Sequence, residues 1–317
     1  MSVQPPIAPE PAAPTPAASP ATGAFAPIDY GLYALTVMAW SFSWYALSLQ
    51  PGVVANEVSL VYRFVIASAI MVAWAALSGR RMRFPLVEHA RFAAMGVCIF
   101  STNFLLFYYG SAYLVSGLLS VVFSLASLTN VFLAALVWRD LPTRHTVLAG
   151  AIGFAGIALM FWPKITEGGF DDQVATGLAL CIAGTLCFSA GSLISAQLSR
   201  RRAEIPMVSA NAWGMVYGAL WCAFLALVLG KPFNWDPRFD YLWSLIFLAV
   251  VSTVVAFAAY LTLVGRIGSG RAGYATVVFP IFALLISTAL EGYQWTLTAI
   301  AGLALVIAGN VLVMRGR

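Results

Sequence analysis

Charge is what this sequence lacks. Of its 317 residues, 61% are hydrophobic and only 9% are Asp, Glu, Lys or Arg. Ordinary globular domains carry about 25% charged residues. So few ionic groups cannot cover the surface of a water-soluble protein of this length, so the chain is read as membrane-embedded. That excludes most soluble enzymes and nucleic-acid binders. The excess of 17 Lys and Arg over 12 Asp and Glu is then a matter of membrane topology.

Other shortages narrow the chemistry. There are four cysteines, Cys98, Cys181, Cys187 and Cys222, with no CxxC spacing and no histidine at ligand spacing. A metal site or disulfide framework is therefore not expected. The two histidines, His89 and His145, fall in or beside loops. Gly191-Ser192 would suit an intramembrane serine protease only with a base to activate the hydroxyl, and neither histidine lies in the membrane interior. Gly268-Ser269-Gly270 lacks the lysine and helix of a phosphate loop. No cofactor and no enzymatic reaction is expected. Carboxylates are placed at the ends of the apolar stretches, Glu57 and Glu291 on one side and Asp29, Asp140 and Glu204 on the other. That placement disfavours a conventional proton relay through the membrane interior.

What the chain has in abundance is long apolar runs. Ten stretches reach the roughly 20 residues needed to cross a bilayer core: 30–50, 57–78, 90–110, 114–137, 145–162, 174–198, 207–229, 240–264, 272–290 and 296–314. They do not alternate apolar with polar residues as barrel strands do, so an all-α membrane protein is expected. Residues 1–28 stand apart. They hold eight of the 16 prolines and no Lys or Arg, and read as a disordered cytoplasmic tail without the basic start or apolar run of a signal peptide.

Basic residues test the span count. With ten spans, thirteen of them, from Arg80 and Arg81 to Arg315 and Arg317, fall on one side, and only Lys164, Lys231 and Arg238 on the other. This asymmetry places both termini in the cytoplasm. A shift of 153 residues aligns Phe104 with Phe257, Ser116-Gly117 with Ser269-Gly270, and Ala155-Gly156 with Ala308-Gly309. Ten spans divide into five plus five, and an odd number per copy inverts the second. The expected organisation is a five-helix repeat over 29–163, an external linker over 164–173, an inverted second repeat over 174–314, and a cytoplasmic end at 315–317. Inverted repeats are a recurrent transporter architecture, with the binding site near mid-membrane.

The polar residues inside the spans mark the candidate site. Trp40, Ser43 and Trp44 lie in the first span, Asn103 in the third and Ser127 in the fourth. The second half offers Ser189, Ser192, Asn211, Trp213, Ser252, Tyr260 and Tyr274. Each hydroxyl has an alternative as a partner for its own helix. Arg63 is the only basic residue well inside a span. It either snorkels outward or pairs with Glu57 or Glu291, or it attracts a substrate carboxylate. Pro280, alone among the prolines in lying within a span, is either a fixed kink or a hinge near the substrate. The glycine-rich fifth and tenth spans suit close helix packing and a scaffold role.

Trp40-Ser41, Arg63-Phe64, the glycine-rich fifth and tenth spans, Pro280 followed by Glu291, and basic residues after the even spans occur here in order. In that order they resemble the drug/metabolite transporter superfamily with EamA-type repeats, over residues 29–314. Ser127 and Asp140 stand where that family carries Pro and Glu. The aromatic lining is similar to the aromatic amino acid exporter branch. The resemblance implies export of an aromatic amino acid or amphiphilic drug from a bacterial inner membrane, through a cavity bounded by the first to fourth and sixth to ninth spans. Two alternatives stay open: a multidrug or other metabolite carrier, including a proton-coupled antiporter, and a non-transporting membrane sensor.

Overall fold

A computed structural model describes residues 26–139, 143–166, 172–199 and 205–315. The tail up to residue 25, Asp140, Pro142, Arg200, Arg201, Arg202, Glu204 and Arg317 lie outside the described residues. All regular structure among the described residues is helical.

Among the described residues the helices follow in this order: α1 (Pro27–Ser48), α2 (Asn56–Leu77), α3 (Leu86–Gly110), α4 (Ser116–Val137), α5 (Arg144–Thr166), α6 (Asp172–Ser199), α7 (Met207–Val228), α8 (Phe239–Ile267), α9 (Arg271–Glu291) and α10 (Leu297–Arg315). Nine of them are long and apolar enough to cross a membrane. The remaining one, α1, has 22 residues. Its Trp40, Ser41, Ser43, Trp44 and Tyr45 lower its hydropathy, and it is the helix richest in candidate site residues. The charge-free joint between the third and fourth spans resolves as a short turn over Ser111–Val115.

Packing follows the placement of small residues. Along the α5–α10 contact, a Cβ added at Gly156 would meet the Gly302 carbonyl at 2.6 Å, and one at Gly309 the Ala149 carbonyl at 2.7 Å. Such close approach is possible only without side chains. Helices α2 and α7 also pack on each other, and α4 packs on α9. The other main contacts come in matched sets: α1 with α9 and α6 with α4, α3 with α7 and α8 with α2, α3 with α6 and α8 with α1. Exchanging α1–α5 for α6–α10 maps these pairs onto one another, whereas the contacts of α4 with α1 and α10 have no counterpart of similar extent.

Local backbone features share the correspondence. Both α3 and α8 widen into π-helical segments, at Cys98–Thr102 and Phe247–Val255. Such segments are rare and concentrate at functional positions. Helices α2 and α7 each stop at a left-handed glycine, Gly79 and Gly230, both at φ 63°. The amides that follow close the last turn, Arg80 N–H on the Ala75 carbonyl and Lys231 N–H on the Ala226 carbonyl.

Helix α4 breaks at Leu125 without a proline. Ser124 Oγ donates to the Val121 carbonyl at 2.7 Å, and Ser127 Oγ to both the Ser124 carbonyl and Asn310 Oδ1. Hydroxyls that take backbone carbonyls in this way loosen a helix. Serines therefore accompany a break beside the position where a proline would otherwise be expected. In α9 the helix runs unbroken through Pro280 from Ala275 to Glu291.

Candidate functional site

An aromatic box occupies the space between α1, α3, α4 and α9. Trp44, 8% exposed, stands at its centre. Its ring meets Phe107 edge-on at 5.0 Å and Phe123 at 5.4 Å, and lies parallel to Phe279 at 6.4 Å with 7° between the planes. Phe188 of α6 closes on Phe123 at 4.8 Å. Trp40, one turn before Trp44, packs on Tyr260 of α8 at 5.1 Å and edge-on to Phe279 at 6.5 Å. Ser41 Oγ donates to the Phe279 carbonyl at 2.9 Å, fixing α1 against α9 directly before Pro280.

Arg63 of α2 lies over Phe104 of α3, one turn before Phe107 of the box. It is 2% exposed, with its guanidinium carbon 4.3 Å from the Phe104 ring centroid and 5.2 Å from that of Phe64. Cation–π contact of this kind partly replaces lost hydration. Nη2 donates to Thr253 Oγ1 in the π-helical segment of α8 at 3.2 Å, while Nε and Nη1 have no acceptor. The Tyr108 hydroxyl lies next to the guanidinium but outside hydrogen-bonding geometry. Neither expected carboxylate pairs with it. Glu57 Oε1 accepts from the Tyr109 hydroxyl, and Glu291 accepts from Ser116 N–H at 3.1 Å and Ser116 Oγ at 2.5 Å. Snorkelling is also excluded by burial. Glu57 sits at the end of its helix as the sequence suggests, yet is only 1% exposed.

The other candidate residues divide. Ser189 bonds Thr129 Oγ1 at 2.6 Å and so ties α6 to α4, while Ser127 ties α4 to Asn310 of α10. Ser43 and Asn211 donate to their own helices, on the Trp40 and Met207 carbonyls. Asn103 donates to the Ile99 carbonyl and is 1% exposed, with its Oδ1 left without a donor. Ser252 is buried in the π-helical segment of α8; Ser192 and Tyr274 are half-buried. Trp213 turns away from the box: its Nε1–H donates to the Met82 carbonyl before α3, and its ring packs edge-on to His89 at 4.6 Å.

The two ends of the bundle differ. At the arginine-rich end an ion pair between Asp29 and Arg266 joins α1 to α8. At the other end a cleft of about 460 Å³ is lined by Tyr45, Ser48, Ser111, Tyr113, Leu290 and Glu291. Beyond the helices on that side, the Arg238 guanidinium beside Asp236 holds its carboxyl below the usual carboxylate range.

The sequence does not single out Phe104, Phe107, Phe123 or Phe279 as site residues, and Thr253 is one hydroxyl among many in the eighth span. The phenylalanines look like ordinary apolar membrane residues. Only the three-residue spacing of Phe104 and Phe107, and the position of Phe279 beside Pro280, distinguish them.

The model of the EamA-like transporter family matches this chain twice, over residues 30–162 and 175–315. The chain belongs to that family. Each match covers one of the two helix sets exchanged by the packing pattern. Full-length relatives agree. An uncharacterized transporter of Archaeoglobus fulgidus is 25% identical over 284 residues, covering 90% of this chain and 98% of its own. The inner membrane transporter YedA of Escherichia coli is 23% identical over 296 residues, covering 92% of each chain. Protein PagO of Salmonella typhimurium is 20% identical over 268 residues, covering 83% of this chain and 84% of its own. A solved crystal structure, 18% identical, matches with a TM-score of 0.62 over 90% of this chain and 95% of its own, a likeness of fold. The protein is thus a multi-pass membrane transporter with the polypeptide fold of its family.

Proposed function

We propose that this transporter exports small amphiphilic metabolites, with aromatic amino acids as its main substrates, by alternating access between two inverted five-helix repeats. The setting is a bacterial inner membrane with both termini cytoplasmic. The observation that carries this reading is the Trp44 box with Phe107, Phe123 and Phe279, together with the buried, under-bonded Arg63 on Phe104, one turn from Phe107. Rings stack on rings, and a guanidinium matches a carboxylate. A single arginine is too little for the phosphates of a nucleotide sugar. Helices α1–α4 and α6–α9 enclose the path, and α5 with α10 forms the scaffold.

Purified protein in proteoliposomes is expected to give saturable flux of labelled phenylalanine or tryptophan. Absence of saturable flux for every aromatic amino acid would overturn the substrate assignment, and a strict requirement for a pH gradient would favour the antiporter alternative. Pro280 serves this cycle as a hinge. Pro280→Ala should slow transport while leaving the amount of folded protein in the membrane unchanged. Unaltered flux would remove the hinge.

A further inference from the structure

Glu57 and Arg63 together are a buried pair of opposite charges that do not neutralise each other. Both lie on α2 and both reach α3, Arg63 over Phe104 and Glu57 to the Tyr109 hydroxyl. Arg63 keeps two nitrogens without acceptors, and Glu57 keeps Oε2 without a donor, at 2% and 1% exposure. Buried ions left this way are costly in a membrane protein and face a partner or a path. We infer that Glu57 and Arg63 are the two poles of a zwitterion site, Arg63 taking the carboxylate of an α-amino acid and Glu57 its ammonium.

The spacing suits that ligand. Six residues of α2 set the Cα atoms of Glu57 and Arg63 about 9 Å apart along the helix axis, and five residues of α3 set those of Phe104 and Tyr109 about 7.5 Å apart. An α-amino acid carries its two charges about 3 Å apart by covalent geometry. Adding a hydrogen bond of about 2.9 Å at each end gives about 9 Å. The Tyr108 hydroxyl, buried and without a bonding partner, lies beside Arg63 to complete the polar lining. Phe107, one turn from Phe104, belongs to the Trp44 box. The side chain of the ligand would enter that box while its charges rest on α2. This assignment rests on the aromatic amino acid reading and adds a selectivity rule to it: the solute needs both charges.

The test compares phenylalanine, 3-phenylpropanoate and phenethylamine in proteoliposomes, as labelled solutes and as competitors. Wild-type protein should prefer phenylalanine over each single-charge analogue by roughly 10- to 100-fold, as a site with two charged hydrogen-bonding groups requires. Glu57→Gln should remove the preference over 3-phenylpropanoate, and Arg63→Gln the preference over phenethylamine. Tyr109→Phe keeps both charges and loosens only Glu57. It should raise KM for phenylalanine and phenethylamine but not for 3-phenylpropanoate, and it decides the matter if a charge variant fails to fold. Wild-type flux of phenylalanine, with variants that keep the wild-type order of preference, overturns the two-pole assignment alone. No wild-type flux of any of the three overturns the aromatic amino acid reading and the assignment with it.

Discussion

Trp44→Ala is expected to abolish measurable aromatic flux and to destabilise the protein by about 3–5 kcal/mol, the usual cost of truncating a buried tryptophan. The indole contacts Phe107, Phe123 and Phe279 on three different helices. Each such ring pair contributes roughly 0.5–1.5 kcal/mol beyond its buried area. Loss of the indole therefore loosens the junction of α1, α3, α4 and α9 and also removes the surface on which a substrate ring would stack. Trp44→Phe separates the two effects. It should restore most of the thermal stability in detergent, while flux recovers only in part because a smaller ring reaches fewer neighbours. Full recovery of flux by phenylalanine would reduce Trp44 to a packing residue.

The second large effect concerns the scaffold. Gly302→Val is expected to lower stability by roughly 1–3 kcal/mol or more, since inserted methyl groups force neighbours apart. At this glycine even a Cβ would meet Met160 Cγ at 2.4 Å and the Gly156 carbonyl at 2.5 Å. The carbonyl cannot rotate out of the way as a side chain can, so α5 and α10 must separate. Gly265→Ala is the contrasting change. Nothing lies within 4 Å of a Cβ there, and its unfolding midpoint should stay near wild type. Thermal unfolding followed by tryptophan fluorescence compares the two. Equal midpoints for Gly302→Val and Gly265→Ala would show that the α5–α10 contact does not hold the bundle together.

The α5–α10 contact was readable in the sequence because its signal is local. Gly156, Gly302 and Gly309 have no side chains to hide, and their spacing on apolar helices already implies close contact. Span limits were readable for a similar reason, since charges and prolines cannot enter the apolar region cheaply. The ninth span, expected at 272–290, occupies Arg271–Glu291. Other features depend on contacts between distant segments. Ser127 and Ser189 carry the same hydroxyl as a ligand-binding serine, but Asn310 and Thr129 occupy them. Trp213 has an amphipathic ring suited to a cavity, yet the Met82 carbonyl holds it at the bundle end. Glu57 begins a helix, a position that carries no local sign of burial. Tyr109 and the packing of α2 against α7 bury it. The π-helical segments of α3 and α8 had no local signature at all, as neither contains a proline or glycine.

Arg63 and Glu57 sit on one rigid helix, and this placement has an electrical consequence. A rocking motion that carries α2 through the membrane field moves a positive and a negative charge together. For equal displacements along the membrane normal the contributions of the two charges to the displacement current cancel, and a zwitterion carried with them adds none. A membrane potential does work of about 2.3 kcal/mol per elementary charge per 100 mV, but here it finds no net charge to act on. Voltage would neither drive nor retard such a cycle, and the direction of flux would follow the solute concentrations on the two sides.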